Sequence, residues 1–253
     1  MPFPIPWLPD DPDAPFPPLA AALDEPDGLI AAGGDLSVPR LLNAYRHGVF
    51  PWFSEGQPIL WWSPDPRMVF ASNGIRLPSK FRRQLRRSPW TLRADTAFAQ
   101  VIAACAGIPR LGQHGTWITD AMQAAYLELH ARGHAHSIEV FDGEELVGGL
   151  YGVAVGRMFF GESMFSARSG GSKLALAGLA RFLRAQGWPL IDAQVENPHL
   201  VSLGAVSMPR AQFAAVVERQ AMLPEPPGSW RARFGEMAAS TLALPDPARA
   251  GFA

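Results

Sequence analysis

"HAHSIEVFDGEELVGGLYGVAVGRMFFGESMF", residues 134–165, decides how this chain folds. Three runs rich in apolar and aromatic residues are separated by an Asp-Gly pair at 142–143 and a Gly-Arg pair at 156–157, the chemistry of tight hairpin turns. The stretch therefore predicts three antiparallel strands in a meander. Downstream, a helix is expected from about Ser172 to Gln186, then a strand over 189–195, then two short helical runs. Three antiparallel strands, a helix and a returning strand make an α+β sheet flanked by helices, mixed but largely antiparallel.

The returning strand carries a chemical puzzle. In "LIDAQVENPHLVSLGA" (190–205) side chains alternate faces, so Leu190, Asp192 and Gln194 are expected on one side and Ile191, Ala193 and Val195 on the other. A carboxylate and an amide sharing one face of an apolar strand need partners, either from neighbouring strands or from something that enters from outside.

Upstream of the meander the signals are helical. Ser37 can cap a helix with Pro39 in its first turn and Gly48 closing it. A second helix is expected over 79–87, capped by Ser79 and ended by Pro89. Asp95 can cap a third through Cys105, and Thr119 a fourth through Arg132, where Met122, Tyr126 and Leu129 mark the apolar side and Gly133 the stop.

The totals set bounds. At 253 residues and 48% hydrophobic, the chain can bury a large core as one domain or two modest ones. The single cysteine, Cys105, excludes an internal disulfide framework, fits a reducing compartment and suggests core packing. No stretch is apolar and long enough to span a bilayer, and the acidic, proline-broken start is unlike a signal peptide, so a cytoplasmic protein is expected. Formal net charge is −1, so a polyanion partner would need a local basic patch. Eight prolines fall in the first 18 residues and more surround "LPEPPG" at 223–228, marking extended wraps or loose tails.

One such patch exists. "KFRRQLRR" sets Lys80, Arg82, Arg83, Arg86 and Arg87 around an apolar Phe81/Leu85 anchor, a geometry suited to phosphate contacts, although charge runs are more often only solvated faces. His130, His134 and His136 lie close in sequence, but no carboxylate or thiolate completes a coordination shell, and no metal is expected. Trp52, Trp61, Trp62, Trp117, Phe159 and Phe160 fall near glycine- or proline-rich turns, where aromatics can line a concave site as well as pack a core. At the strand-to-helix join, "GESMFSARSGGSK" (161–173) partly matches the pyrophosphate turn of GNAT acetyltransferases, in the frame Arg168 to Lys173. Lysine stands there where that turn wants a small residue.

Several strings then converge: "GGDLS" (33–37), "FPWF" (50–53), "PILWWSPDPR" (58–67), "GTWIT" (115–119), "GHAHSIEV" (133–140), "LVGGLYG" (146–152), "GESMFS" (161–166) and "LIDAQVENPHLVSLGA". Together, over residues 27–220, they resemble the leucyl/phenylalanyl-tRNA-protein transferase family. The resemblance implies a small N-terminal domain (1–66), a GNAT-like aminoacyltransferase domain (67–234) and a C-terminal tail (235–253). It implies transfer of Leu or Phe, less so Met, from aminoacyl-tRNA to proteins beginning with Arg or Lys, which marks them for degradation by the N-degron pathway. An activated ester needs no metal or cofactor, so none is expected, and the chain is expected to be a monomer.

By the same resemblance, Trp52, Trp117, Leu150, Phe159, Ser163, Leu176, Leu179, Ile191 and Asn197 bind substrate; the five cations of 80–87, from their charge, are expected to bind the tRNA. Asp192 bonds the side-chain amide of Gln194, whose carbonyl oxygen meets the attacking amine. Glu162 either binds the donor's terminal nucleotide or faces the cationic acceptor. A carboxamide is too weak a base for full proton transfer, so Gln194 is expected to orient the amine. Two other readings compete: an acyl-coenzyme A acetyltransferase, from the strand order, and an RNA-binding module built on 80–87 with a purely structural 190s strand.

Overall fold

The structure, a computed structural model, describes residues 5–108 and 117–243. The first four residues of the proline-rich start, Gly115 and Thr116 of the GTWIT string, and residues 244–253 of the expected tail lie outside the described residues.

A small sheet comes first. Its strands are β1 (Trp7–Leu8), β2 (Leu29–Gly33), β3 (Phe50–Pro51) and β4 (Leu60–Trp62), in the order β1-β2-β4-β3, with only β1 and β2 parallel. Between β2 and β3 lies α1 (Val38–Arg46), begun by Ser37, whose hydroxyl accepts the Arg40 N–H at 3.4 Å, and followed by Gly48 at φ 72°. The proline-rich start wraps onto this helix. Prolines cannot donate, so carbonyls lack local partners; buried Arg40 donates to those of Pro9 (2.7 Å), Asp11 and Ala14 (3.3 Å).

The rest of the chain builds one larger sheet and its covering helices. In chain order these are β5 (Arg67–Ala71), α2 (Ser79–Leu85), β6 (Thr91–Ala94), α3 (Phe98–Ala106), α4 (Asp120–Ala131), β7 (Ala135–Asp142), β8 (Glu145–Val155) and β9 (Met158–Ser166). They continue with α5 (Gly171–Ala185), β10 (Leu190–Gln194), α6 (Pro198–Ser202), β11 (Val206–Met208), α7 (Arg210–Ala221), α8 (Arg231–Phe234) and β12 (Met237–Ala238). The strand order is β11-β5-β10-β9-β8-β7-β6-β12, antiparallel throughout except for β9 beside β10. The predicted meander is β7-β8-β9, and α5 returns the chain so that Ile191 pairs with Phe159 and Asp192 with Phe160. This is the mixed, largely antiparallel α+β sheet the sequence predicts.

Both faces of this sheet are covered, which is why its central strands read as nearly continuous apolar runs. Alternation sends Tyr151, Val153, Phe160 and Leu190 into a core shared with α1, α3, α4 and the small sheet. It sends Leu150, Phe159, Ile191 and Ile138 into a second core under α5. At about 1.5–3 kcal/mol for each such side chain fully buried, these strands carry much of the folding free energy. Helix α5 lies very close to β8: a Cβ on Gly148 would sit 2.5 Å from the Gly171 Cα, so both glycines are required by the approach.

Several local expectations are corrected. Pro78, not Ser79, is the cap position of α2, and the helix ends at Leu85. Asp95 does not cap α3, whose cap position is Ala97. Held at φ 56°, it accepts bonds from His136 Nδ1 (2.9 Å), the Ser137 N–H (3.1 Å) and the Trp230 N–H (2.6 Å), tying β6 to β7 and to the segment after α7. The described part of the expected tail is integral: β12 pairs with β6, and Ala239 and Ala243 are buried in the second core. The histidines are packed, with His136 stacked 3.9 Å from the Trp230 ring and His130 4.2 Å from Phe98.

Candidate active site

The site forms where β10 stops being regular. Register with β5 passes from Asp192 opposite Val69 to Gln194 opposite Met68, so Ala193 bulges and Gln194 takes φ 62°. Simple alternation therefore fails one residue before the amide. Asp192, fully buried, is gripped in fork geometry by Arg67, Nε to Oδ1 at 2.8 Å and Nη2 to Oδ2 at 2.7 Å. The guanidinium lies between the rings of Phe50 and Phe213, at 4.7 and 4.6 Å from their centroids. Asp192 Oδ1 also accepts the backbone N–H of Gln194 at 2.9 Å, which pins the left-handed residue.

The Gln194 side chain goes elsewhere. Its Nε2 donates to Glu162 Oε1 at 3.0 Å, so the expected link between Asp192 and the side-chain amide is replaced by one to the backbone. No described residue bonds the Gln194 carbonyl oxygen. Glu162, on β9, is further held by two tyrosines from separate helices. The Tyr45 hydroxyl lies 2.8 Å from Oε1, the Tyr126 hydroxyl lies 2.9 Å from Oε2, and the two phenol oxygens are 2.6 Å apart. Both carboxyl oxygens of Glu162 are thus already hydrogen-bonded within the protein. Burial pushes its pKa up to about 7, the tyrosine bonds opposing this and the charge of Asp192 adding to it. Both tyrosines are raised well above the usual phenol value, chiefly by burial and then by the neighbouring Glu162.

Two cavities meet at this cluster. A narrow one of about 120 Å³ is walled by Leu150, Phe159, Leu176, Leu179 and Ile191, all substrate residues implied by the resemblance, with Phe70 and Met164 added. A wider cleft of about 600 Å³ has Trp52, Trp117 and Asn197 on its walls, together with Glu196 and His199. Glu162, Ser163, Met164, Ala193, Gln194 and Leu200 line both. Asn197 also caps α6, accepting the His199 N–H at 2.8 Å. The structure thus brings the implied catalytic and substrate residues to one place.

The basic helix is separate but adjacent. Phe81 packs on Gly170 at the start of α5, where a Cβ would come within 2.4 Å of its ring, and Leu85 is buried in the second core. Lys80, Arg83, Arg86 and Arg87 are exposed and Arg82 half-buried, with no acidic partner among the described residues. From the first turn of α5, Lys173 helps burial depress the pKa of His199 on the cleft wall, so positive charge extends from α2 towards the opening.

Sequence reasoning missed Arg67, Tyr45, Tyr126, Phe50 and Phe213. One signal was available: the chain has only three tyrosines, and all three are fully buried around this site, with Tyr151 edge-on to Tyr126 at 5.6 Å.

A family model for the leucyl/phenylalanyl-tRNA protein transferase matches residues 69–218, and one for that family's N-terminal domain matches residues 34–65. The chain belongs to this family of aminoacyltransferases. A relative from Xanthomonas euvesicatoria named leucyl/phenylalanyl-tRNA–protein transferase is 72% identical over 90% of this chain and 92% of its own length. Its namesake from Xanthomonas axonopodis pv. citri is 67% identical over 94% and 96%, and that from Xylella fastidiosa 63% over 89% and 93%. Among solved structures, a functionally unknown conserved protein of Staphylococcus epidermidis aligns at 10% identity and a TM-score of 0.38, covering 72% of this chain and 68% of that one. Of the small sheet, β3 and β4 fall within the match to the family's N-terminal domain and β1 and β2 precede it. No described helix is long and apolar enough to cross a membrane.

Proposed function

We propose that this chain transfers leucine or phenylalanine, and less readily methionine, from aminoacyl-tRNA to the α-amine of proteins that begin with Arg or Lys, marking them for the N-degron pathway. The observation that carries the reading is a narrow apolar cavity that shares its Gln194 wall with a wide cleft of mixed polar and apolar lining. Unbranched side chains fit such a cavity, whereas the second γ-substituent of Val or Ile crowds its entrance. The aminoacyl ester is already activated, so the reaction needs positioning above all. The amine attacks the ester carbonyl, a C–N bond forms, the C–O bond to the ribose breaks, and the proton leaving the amine ends on the departing ribose oxygen.

In this reading the Gln194 carbonyl oxygen receives an amine hydrogen and aims the lone pair. Arg67 and Asp192 fix the backbone of Gln194, and Glu162 fixes its amide. Trp52 and Trp117 offer faces for the terminal adenosine, and the cations of 80–87 take the phosphates of the acceptor stem. Exposed Glu196, on the wide cleft, is the carboxylate left to meet the acceptor's cationic side chain. The β7-β8-β9-α5-β10 order supports a GNAT-like domain. The acyl-coenzyme A alternative is disfavoured because Arg168, the residue that would open its pyrophosphate turn, is held by Asp142 and Glu145.

The test is transfer of labelled Leu, Phe and Val from charged tRNA to a peptide beginning with Arg. Leu and Phe are expected to transfer, Val to be rejected by about 10-fold or more, and tRNA binding to weaken steeply with salt. Equal use of Val, or a flat salt response, overturns the reading of the cavity or of the basic helix respectively.

A further inference from the structure

Glu162, Tyr45 and Tyr126 pose a counting problem. Three oxygen–oxygen contacts of 2.6, 2.8 and 2.9 Å join the two phenols and the carboxyl group into a ring. Each contact of this length needs one hydrogen between the oxygens. Both phenols stay protonated, which supplies two. If Glu162 is ionised, both hydroxyls point at its carboxylate and the shortest contact, phenol to phenol, has no hydrogen at all. Two oxygen lone pairs would then face each other at 2.6 Å in a buried site.

We propose that Glu162 works as a neutral carboxylic acid, closed into a three-proton ring in which Tyr45 and Tyr126 are positioning residues for the transfer reaction. The Glu162 Oε2–H donates to the Tyr126 oxygen, Tyr126 donates to Tyr45, and Tyr45 donates to Glu162 Oε1. Every contact then carries one hydrogen. Oε1 remains a carbonyl acceptor and takes the Gln194 Nε2 hydrogen as well, so the amide is held with its own carbonyl oxygen away from the ring.

The surroundings agree with a neutral acid. Facing Glu162 are Tyr45 from α1, Tyr126 from α4, Tyr151 from β8, Asp192 from β10 and Arg67 from β5. Among the described residues the cation acting on Glu162 is Arg67, which is already committed to Asp192 by a two-point fork, and its pull on a second carboxylate is outweighed by burial. Burial raises the affinity of Glu162 for its proton, in the same direction.

The chemical consequence follows from where negative charge develops. Attack on the ester carbonyl puts charge on its oxygen, and in a partly desolvated site a neighbouring carboxylate opposes that charge, while a neutral acid does not. Rising pH should therefore switch transfer off as Glu162 loses its proton.

This inference rests on the transferase reading, and the experiment separates the two. Transfer from Leu-charged tRNA to an Arg-initiating peptide is measured across pH for the natural chain and for Glu162→Gln, an uncharged variant of the same shape. Ionisation of the acceptor amine affects both equally and cancels in their ratio. The ratio of natural to variant rate is expected to fall as pH rises through about 7. A ratio that rises through this range, or stays flat, overturns the neutral-acid role. In parallel, the Glu162 side-chain carboxyl carbon is followed by NMR in the ¹³C-labelled natural chain, its signal assigned by its loss in Glu162→Gln. It is expected to report the acid form just below neutrality. In Tyr45→Phe, which removes one donor to the carboxylate, the titration should move to higher pH. A carboxylate signal throughout overturns the ring even if transfer is robust, whereas an acid signal in a chain that transfers nothing overturns the function alone.

Discussion

The narrow cavity and the wide cleft share a floor yet are made differently. The narrow one is walled by side chains on β5, β8, β9, β10, α5 and α6, of which Phe70, Leu150, Phe159, Leu176, Leu179 and Ile191 are anchored in the second core. The wide one is walled by β3, by Trp52 just after it, by Trp117 just before α4, and by the turn at 195–197 with the start of α6. Regular elements fix positions to a fraction of an ångström because close packing leaves them nowhere to go, whereas connecting segments can yield. The contrast suggests a division of labour in which the rigid cavity selects the amino-acid side chain and the looser cleft handles two macromolecules.

The largest effect should come from breaking the shared floor. Arg67→Met leaves Asp192 buried without its cation, and such a loss costs about 3–5 kcal/mol. Urea denaturation should show it, and transfer should vanish with it, because both cavities meet at β10. A variant with a natural unfolding midpoint would show that the clamp does not hold them together. Next, Leu179→Ala enlarges the narrow cavity and is expected to cost about 2–5 kcal/mol of stability. Competition between Leu- and Phe-charged tRNA should move about 10-fold towards Phe. Smallest is Trp52→Ala: this side chain is 37% exposed, so unfolding should change little. Donor affinity should drop by about 1–3 kcal/mol, read as KM with kcat nearly constant. Should Trp52→Ala change the Leu-to-Phe preference while Leu179→Ala changes only KM, the division of labour is inverted.

That same division explains what could be read in advance. Leu150, Phe159 and Ile191 sit on strands whose turns and alternation are written locally, so their shared surface follows once the meander is recognised. Family resemblance, not periodicity, singled out Trp52 and Trp117. The Arg67–Asp192 pair is separated by 125 positions in the chain, and no local pattern says that β5 will insert between β10 and β11. Tyr126 carried an ordinary apolar-face signature because its ring does pack in the core, and only its hydroxyl belongs to the site. Gln194 misled in a different way: the bulge at Ala193 follows from pairing with β5, and it redirects the amide from Asp192 to Glu162. Asp95 looked like a helix cap, but tertiary donors from His136 and Trp230 claimed its carboxylate.

The large sheet ends on one side in β11, three residues long, and on the other in β12, two residues long. A bare strand rim invites any extended peptide to hydrogen-bond alongside it, and stretches this short give such a guest almost nothing to copy. For a chain whose family transfers amino acids to other proteins, that brevity lets a protein substrate approach without being recruited into aggregates.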